Sequence, residues 1–321
     1  MILEVRGLKV QFPTRRGTLT AVDDVSFSIA PGEVLGVVGE SGAGKSITGL
    51  AVIGLLEPPG RIAAGEVRLE GGRIDNLGHE RLRRIRGRRI GVVFQDPLTS
   101  LNPLYTIGKQ LVETIQTHLD LTPAEARTRA LRLLAEVGIP APEARFSHYP
   151  HQFSGGMRQR VVIALAIAAE PSLIIADEPT TALDVSIQAQ IITLLKRLAR
   201  ERGTAIMLIT HDMGVIAETA QRVAVMYAGR IVEIGSVRDV IHAPRHPYTV
   251  GLMGAIPKIH SSGIRTRLTQ IEGAMPRLNA IPPGCAFNPR CPRRFDRCVV
   301  ERPALLPAGT SQAACWLHAT A

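Results

Sequence analysis

The sequence has few aromatic residues and few lysines. Aromatic side chains make up 4% of the 321 residues, and there is one tryptophan. The net charge is +10, and arginine supplies most of the positive side chains. The densest basic run, RLRRIRGRR at residues 81–89, is not interleaved with aromatic residues that could stack on bases. We interpret it as a solvated polar face rather than a nucleic-acid or membrane surface, and predict no nucleic-acid partner.

Long apolar runs are also missing. The longest wholly apolar stretch, VVIALAIAA at residues 161–169, is bounded by Arg160 and Glu170. A bilayer span needs about 20 residues, so this stretch is too short. The first ten residues carry Glu4, Arg6 and Lys9 and show no secretory signal. We therefore expect a chain that is soluble by itself and that would depend on another subunit for membrane-spanning helices.

Strand patterns alternate with helical patterns over most of the chain. Strands are predicted at residues 3–12, 19–30, 34–38, 66–71, 89–95, 172–179 and 204–212, and helices at 46–56, 106–119, 122–138 and 187–201. This alternation predicts an α/β fold with a mainly parallel sheet, an inserted helical block at about 97–165 and a closing hairpin at 222–235. After about residue 243 the composition shifts to proline, arginine and cysteine, which predicts a separate small domain over 243–321.

The stretch GESGAGKS at residues 39–46 has the pattern G-x-x-x-x-G-K-S of a phosphate-binding loop. Because lysine is scarce, an accidental match has a chance of about half a per cent. Glycines let backbone N–H groups converge on phosphate oxygens, and the following helix points its positive end at them. Lys45 would add charge at the β- and γ-phosphates, and the Ser46 hydroxyl can bind Mg²⁺. The alternative is a glycine-rich turn without a ligand.

A second carboxylate-bearing strand accompanies this loop. SLIIADEP at residues 172–179 ends in Asp177 and Glu178. An aspartate in this place can hold Mg²⁺ through water, and the adjacent glutamate can orient or deprotonate the attacking water. Alone, such a strand end is as often merely solvated. Together with residues 39–46 it predicts nucleotide hydrolysis.

Three further features narrow the class of protein. FSGGMRQR at residues 153–160 places Ser154 and two glycines before a helix, which makes a second phosphate-facing helix start. A chain with its own phosphate loop has no need of a second one, so a site completed across two subunits is indicated. Gln95 and His211 each end a strand, although either residue alone is more often structural.

In this order and spacing, GESGAGKS, VVFQD, FSGGMRQR, LIIADEPTTALD and LITHD resemble the ATPases of ABC transporters over residues 1 to about 240. The resemblance implies a P-loop NTPase (RecA-like) core with an antiparallel β subdomain and an inserted helical subdomain. It places the ATP-binding cassette at residues 1–242. It also implies ATP hydrolysis with ATP and Mg²⁺ bound.

The resemblance assigns each motif a role. ATP would be contacted by Phe12 at adenine and by the Walker A residues Gly39, Glu40, Ser41, Gly42, Ala43, Gly44, Lys45, Ser46 and Ile47. The signature residues Ser154, Gly155 and Gly156 would cap the ATP of a partner, and Asp184 would contact that partner. Mg²⁺ would be bound by Ser46, Gln95 and Asp177, and catalysis would involve Glu178 as base, His211 as switch histidine and Gln95 as sensor of the metal and water. Met157 departs from the commonest signature, which has glutamine.

All four cysteines lie near the C-terminus, with the spacing C-x5-C-x6-C-x16-C. Structural zinc sites usually show closer pairs, and a cytosolic ATPase argues against disulfides. Four thiolates fit a [4Fe–4S] cluster in number. Iron–sulfur, zinc and free thiols all stay open on this chemistry.

HPYTVGLMGAIP at residues 246–257 and PPGCAFNPRCPRRFDRC at 282–298 are similar to the C-terminal extension of dipeptide/oligopeptide importer ATPases and their nickel-importing relatives. This second resemblance implies a [4Fe–4S] cluster, with Zn²⁺ as the alternative, on Cys285, Cys291, Cys298 and Cys315. With Met157 in its signature, the chain resembles the D-type subunit.

The implied assembly pairs this subunit with an F-type ATP-binding subunit as a heterodimer under two transmembrane permeases. An extracytoplasmic peptide-binding protein would feed the permeases. The expected location is peripheral, at the cytoplasmic face of the inner membrane.

Nickel or another small solute is the alternative cargo. A soluble ABC ATPase acting on nucleic acid or ribosomes fits less well, because such proteins usually carry two cassettes or a long coiled-coil insertion. A nucleotide-sensing regulator would conflict with the presence of Glu178 and His211.

Overall fold

A computed structural model describes residues 1–181, 183–256 and 270–319. The strands are β1 (Leu3–Thr14), β2 (Gly17–Ile29), β3 (Val34–Val38), β4 (Arg61–Leu69), β5 (Gly72–Arg73), β6 (Ile90–Val93), β7 (Leu173–Asp177), β8 (Ala205–Ile209), β9 (Arg222–Tyr227), β10 (Arg230–Ser236), β11 (Leu306–Ala308) and β12 (Ser311–Ala313). The helices are α1 (Lys45–Val52), α2 (His79–Ile85), α3 (Pro97–Ser100), α4 (Ile107–His118), α5 (Pro123–Glu136), α6 (Pro142–Phe146), α7 (Gly155–Ala166), α8 (Val185–Arg202), α9 (Met213–Thr219), α10 (Val237–His242), α11 (Pro247–Gly254) and α12 (Asp296–Val300).

Three 3₁₀ turns complete the order of elements, at Pro150–Gln152, Asn288–Arg290 and Trp316–His318. No helix within the three described ranges is long and apolar enough to cross a membrane. Ala182 of the TALD motif, the last residue of HPYTVGLMGAIP, and residues 257–269 and 320–321 of the predicted C-terminal domain lie outside the described residues.

The chain folds into two compact units. The first unit comprises Met1–Glu4, Ser28–Val34 and Val67–Ile209, and the second comprises Val5–Phe27, Leu35–Glu66 and Thr210–Ala321. This division groups residues by compactness, whereas the predicted boundary at 242/243 divides the chain by family resemblance. That boundary therefore stays a prediction.

A parallel sheet forms the core of the first unit. β7 pairs in parallel with β6 (Ile90↔Leu173 to Val93↔Ala176) and with β8 (Leu173↔Ala205 to Asp177↔Ile209). Residues 173–176 and all of β8 are buried, as expected for strands covered on both faces. Helix α7 lies so close to β6 that a side chain at Gly91 would clash with the carbonyl of Ala166. The parallel α/β core predicted from the sequence is thus confirmed.

Helices α3 to α7 occupy almost the range predicted for the helical block. Thr106 caps α4 by accepting the N–H of Lys109. Thr122 and Glu125 form a reciprocal capping box at the start of α5, which also has a proline in its first turn. Helix α4 packs against α5, α6 and α7. The standing of this block as a separate subdomain stays a prediction.

The basic run at 81–89 covers most of α2 and the turn after it. Its arginines at 81, 83, 84 and 88 are exposed, as a solvated face requires. Arg83 pairs with Glu80 at 3.2 Å, and Arg88 donates to the carbonyl of Ala169 at 2.7 Å. The absence of a nucleic-acid partner stays a prediction.

In the second unit, the C-terminal strands β11 and β12 belong to the same sheet as β3, the strand that precedes the glycine-rich loop at residues 39–46. β3 pairs in parallel with β9 (Leu35↔Arg222 to Val38↔Val225), and β9 forms an antiparallel hairpin with β10. β12 adds to β10 (Glu233↔Ala313, Ile234↔Gln312), and β11 adds to β12. The segment after residue 300 therefore contributes two strands to the sheet that contains β3.

An aromatic cluster packs the C-terminal segment against β9. The ring centroid of Tyr227 lies 4.7 Å from that of Tyr248 and 5.2 Å from that of Phe287. Behind it, the fully buried carboxylate of Glu233 accepts the backbone N–H groups of Arg245 and His246, each at 2.8 Å. Because a buried charge is stable only when it is paired or hydrogen-bonded, these two bonds fix the start of α11 relative to β10.

Candidate functional site

The loop between β3 and α1 depends on glycine at its two ends. Gly39 has φ +150°, and a Cβ there would clash with the carbonyl oxygen of Met226. Gly44 has φ +99°, and a Cβ there would lie 2.9 Å from the carbonyl oxygen of Ala21. Larger residues would be strained and would push the loop away from these two segments. The backbone therefore follows a path that only glycine permits at these two positions.

The lysine of this loop folds back over it. Lys45 is 6% exposed, and its Nζ donates to the carbonyl oxygens of Gly39 at 2.8 Å and Glu40 at 3.0 Å. Ser46 and Ile47 follow in the first turn of α1 and are half-buried, while Ser41 and Gly42 are exposed and Ala43 is buried. The ammonium group thus lies against carbonyl oxygens of the loop itself, which are neutral acceptors that phosphate oxygens can replace.

Two other predicted site residues, His211 and Phe12, lie in the second unit and contact different parts of it. The N–H of Thr210 donates to the carbonyl of Val37 at 3.2 Å, so the exposed His211 follows a segment that lies beside the start of the glycine loop. The half-buried ring of Phe12 packs against Gly60, where a Cβ would lie 2.5 Å from Cε1. Stacking of Phe12 on adenine stays a prediction.

In the first unit, the predicted base and the predicted sensor touch. Gln95 Nε2 donates to Glu178 Oε2 at 3.0 Å, and Thr181 Oγ1 donates to the same oxygen at 2.9 Å. Glu178 directly follows the half-buried Asp177 and has a left-handed backbone, with φ +47°. Parallel pairing of β6 with β7 brings these strand ends together. Thr181 was not identified from the sequence, although it is only three residues from Glu178.

The predicted signature lies beside the segment that carries Asp184. Ser154 caps α7 by accepting the N–H of Met157 at 3.4 Å. A Cβ at Gly155 would be 3.9 Å from Leu183, and one at Gly156 would be 2.6 Å from Ile187. Ser154, Gly155 and Asp184 are exposed. This corner of the first unit therefore presents a helix N-terminus and a carboxylate on an accessible surface.

Two residues beyond position 243 contact the glycine loop, and sequence reasoning missed both contacts. The N–H of Glu40 donates to Tyr248 Oη at 2.9 Å, and Arg290 Nη1 lies 3.1 Å from Glu40 Oε2. Burial raises the pKa of Tyr248, so its hydroxyl stays neutral. The HPYT stretch served only as a feature of the family resemblance, and no local sequence pattern predicts a role for Arg290 at the nucleotide site.

The four cysteines line one small cavity. Cys285, Cys291, Cys298 and Cys315 are free thiols around it, together with His246 and Phe287. Burial, with smaller effects of the other thiols, raises the pKa of Cys285 to about 11, and burial likewise raises the pKa of Cys291 and Cys315. These thiols are therefore protonated unless a cation binds them.

The donor set fits a four-thiolate group in number and type. However, no cluster of three or more His, Cys, Asp or Glu side chains in the described parts of the chain is arranged to hold a metal ion. The four thiols thus share one cavity, but they are not placed as the ligands of a bound metal ion would be. The case for a bound cluster or metal therefore rests on the proximity of the four thiols, and their spacing is not that of ligands around a bound ion.

Family comparisons agree with these features. Residues 22–181 match the ABC transporter family, and residues 232–298 match the family described as oligopeptide/dipeptide transporter, C-terminal region. Among solved structures, a dimeric bacterial ABC transporter cassette is 32% identical with a TM-score of 0.66, covering 74% of this chain and 99% of that one. A dimeric ATP-binding cassette in a post-hydrolysis state bound to ADP and Pi has the same values.

Curated relatives span nearly the whole chain. The dipeptide transport ATP-binding protein DppD of Escherichia coli (strain K12) is 48% identical over 95% of this chain and 92% of its own length. The oligopeptide transport ATP-binding protein OppD of Salmonella typhimurium is 49% identical over 93% and 88%, and DppD of Bacillus subtilis (strain 168) is 46% identical over 99% and 95%. The chain therefore belongs to the ABC transporter ATPases, in the group of dipeptide and oligopeptide transport ATP-binding proteins.

Proposed function

We propose that this chain is the ATP-hydrolysing motor of an importer for dipeptides or oligopeptides. The observation that carries the proposal is the glycine loop between a buried strand and α1, with Lys45 bonded to the carbonyls of Gly39 and Glu40. Such a loop concentrates N–H dipoles and positive charge where a triphosphate can bind. The relatives named for dipeptide and oligopeptide transport support the cargo class.

In this proposal the loop residues bind the phosphates of ATP and Phe12 stacks on adenine. Lys45 gives up its bonds to the carbonyls of Gly39 and Glu40 in exchange for phosphate oxygens. Ser46 and Asp177 bind Mg²⁺, with Gln95 as a further ligand. When bound, Mg²⁺ neutralises charge on the phosphates and so lowers the barrier to hydrolysis.

Glu178 acts as the base that orients or deprotonates the attacking water. Gln95 and Thr181 both donate to Oε2, which holds the carboxylate in one orientation. Such a fixed carboxylate is suited to taking a proton from water. His211 contributes as the switch histidine beside the start of the loop.

The exposed corner of Ser154, Gly155, Gly156 and Asp184 contacts the ATP and the surface of a second subunit. Its helix N-terminus offers N–H groups to the γ-phosphate of that subunit's nucleotide. We propose that this second subunit is an F-type ATP-binding chain and that the present chain is D-type. Two transmembrane permeases and, indirectly, an extracytoplasmic binding protein complete the assembly, in which the present chain lies peripherally at the cytoplasmic face of the inner membrane.

A second proposal concerns residues 243–321 as a small domain whose cysteines hold a [4Fe–4S] cluster, with Zn²⁺ as the alternative. The supporting observation is that Cys285, Cys291, Cys298 and Cys315 line one cavity. Four thiolates are the usual ligand set of such a cluster. Loading would release the thiol protons and would require the cavity to adjust, because the thiols are not spaced as a metal site in the described residues.

Replacing Lys45 with alanine tests the nucleotide site. Lys45→Ala is expected to weaken ATP binding about 10- to 100-fold, because it removes a charged donor to the phosphates. The measurement is a nucleotide titration of the purified chain with Mg²⁺ present. Lys109→Ala, which removes an exposed lysine of α4, is the matched control. Equal ATP affinity in Lys45→Ala and the wild type would contradict the proposed site.

Replacing Glu178 with glutamine tests the catalytic base. Glu178→Gln should bind ATP normally and hydrolyse it at least about a hundredfold more slowly, since the amide cannot accept the proton of water. The measurement is phosphate release from the assembled complex, with Glu113→Gln on the exposed face of α4 as control. Unchanged turnover would remove Glu178 from this role.

The same variant tests the partnership. ATP that is bound but not hydrolysed should hold the two ATP-binding subunits together, so Glu178→Gln should associate with the F-type subunit in ATP and separate from it in ADP. Light scattering of the purified subunits measures this association. Association that ignores the nucleotide would contradict the proposed shared site.

The cysteine proposal has a direct spectroscopic test. An anaerobic preparation should be brown and contain about four iron atoms and four sulfides per chain. Cys285→Ser should lose most of this iron, whereas Ser311→Ala in β12 should keep it. A colourless protein with stoichiometric zinc would support the alternative ligand. Protein that binds neither metal after anaerobic reconstitution would overturn the proposal.

A further inference from the structure

We infer that Arg290 is a positioning residue for ATP binding, because it neutralises the carboxylate of Glu40 inside the phosphate loop. The inference rests on the proposed function, in which residues 39–46 hold the phosphates. It assigns a role at the nucleotide to the C-terminal segment, which lies far from the loop in sequence. Neither Arg290 nor Tyr248 belongs to the motifs that identify the nucleotide site.

Arg290 is buried and uses its donors in two directions. Its side chain is 7% exposed, and Nη1 donates to Glu40 Oε2 at 3.1 Å and to Tyr227 Oη at 3.4 Å. On the other side Nε donates to the carbonyl of Glu272 at 2.9 Å and Nη2 to that of Ile271 at 3.4 Å. A guanidinium is always protonated in proteins. The group is therefore a fixed cation that joins the C-terminal segment to the loop.

A cation beside Glu40 favours phosphate binding by the loop. Glu40 is the second residue of a loop whose ligand carries several negative charges, and its own carboxylate would repel them. The guanidinium of Arg290 sits on this carboxylate in a partly buried place, where salt screens the interaction only weakly. With the pair intact, the negative charge of Glu40 is offset where the loop presents its N–H groups and Lys45 to phosphate.

Tyr248 fixes the backbone of the same residue. Its hydroxyl oxygen accepts the N–H of Glu40 at 2.9 Å, and the whole side chain is buried against Tyr227 and Phe287. Glu40 is therefore held at its backbone by Tyr248 and at its carboxylate by Arg290. Because Glu233 anchors the backbone at His246, the position of Tyr248 is set from β10.

An ordinary structural ion pair would behave differently from a neutralising one. If Arg290 only held the C-terminal segment in place through its bond to Glu40, Glu40→Gln would break that bond and weaken ATP binding as much as Arg290→Gln does. If Arg290 neutralises the carboxylate, Glu40→Gln should weaken ATP binding less than Arg290→Gln does, and Arg290→Gln should matter much less once Glu40 is an uncharged glutamine. The two single variants and the double variant together separate the two roles.

The experiment is an ATP titration of full-length variants with Mg²⁺, accompanied by thermal unfolding. Arg290→Gln should weaken ATP binding about five- to tenfold, the scale of a lost charge-assisted contact. In the Glu40→Gln background the same change should cost less than about twofold. Arg290→Lys, which keeps the charge, should lie between wild type and Arg290→Gln. Arg297→Gln, which breaks the exposed pair with Glu301 in the same segment, is the matched control and should bind ATP as wild type does.

Three outcomes would overturn the inference. One is wild-type ATP affinity in Arg290→Gln. The other two, an equal loss in the presence and absence of the Glu40 carboxylate and a loss in Glu40→Gln as large as in Arg290→Gln, would reduce Arg290 to a structural anchor. Lys45→Ala distinguishes these failures from a failure of the proposed function. If Lys45→Ala loses ATP while Arg290→Gln does not, only the present inference fails, and if Lys45→Ala binds normally, the nucleotide site itself is wrong.

Discussion

The contact between the backbone of Gly39 and the carbonyl of Met226 is the constraint on which the nucleotide site depends. β3 is fully buried and pairs with β9, so the chain leaves the sheet at a fixed point, and only a residue without a side chain can turn there beside β9. The turn places the carbonyls of Gly39 and Glu40 where Lys45 can donate to both. The positive end of the α1 dipole then faces the loop that precedes it.

Residues from distant parts of the chain determine the electrostatic environment of this loop. Lys45 places its positive charge against the carbonyls of the loop, and Arg290 neutralises the carboxylate of Glu40. The buried Glu233 holds the backbone before α11 and so keeps Tyr248 in contact with Glu40. In the first unit two neutral donors, Gln95 and Thr181, orient the carboxylate of Glu178. The loop is thus prepared for an anion and Glu178 for a proton.

Local patterns predicted the parts of the site that depend on local structure. The apolar run of β3, the glycines of residues 39–44 and the start of α1 are adjacent in sequence, so their order alone predicted a strand, a loop and a helix. The meeting of Gln95 with Glu178 follows from neighbouring parallel strands that end at one edge. The contact of Arg290 with Glu40 joins residues 250 positions apart through tertiary packing, and a single sequence carries no periodic signal for it. The cysteines could be grouped by number, but their spacing in the fold could not be derived.

The central claim is that the close path of Gly39, rather than glycine content in general, creates the phosphate site. The most direct measurement is ATP affinity in Gly39→Ala compared with Gly42→Ala. Both positions have positive φ, but a Cβ at Gly42 meets no atom of the described residues within 4 Å, whereas one at Gly39 meets the carbonyl of Met226. The account predicts that Gly39→Ala weakens ATP binding by at least about tenfold more than Gly42→Ala, because at Gly39 the clash with Met226 adds to the strain of a side chain at positive φ. Equal ATP affinities in the two variants would contradict it.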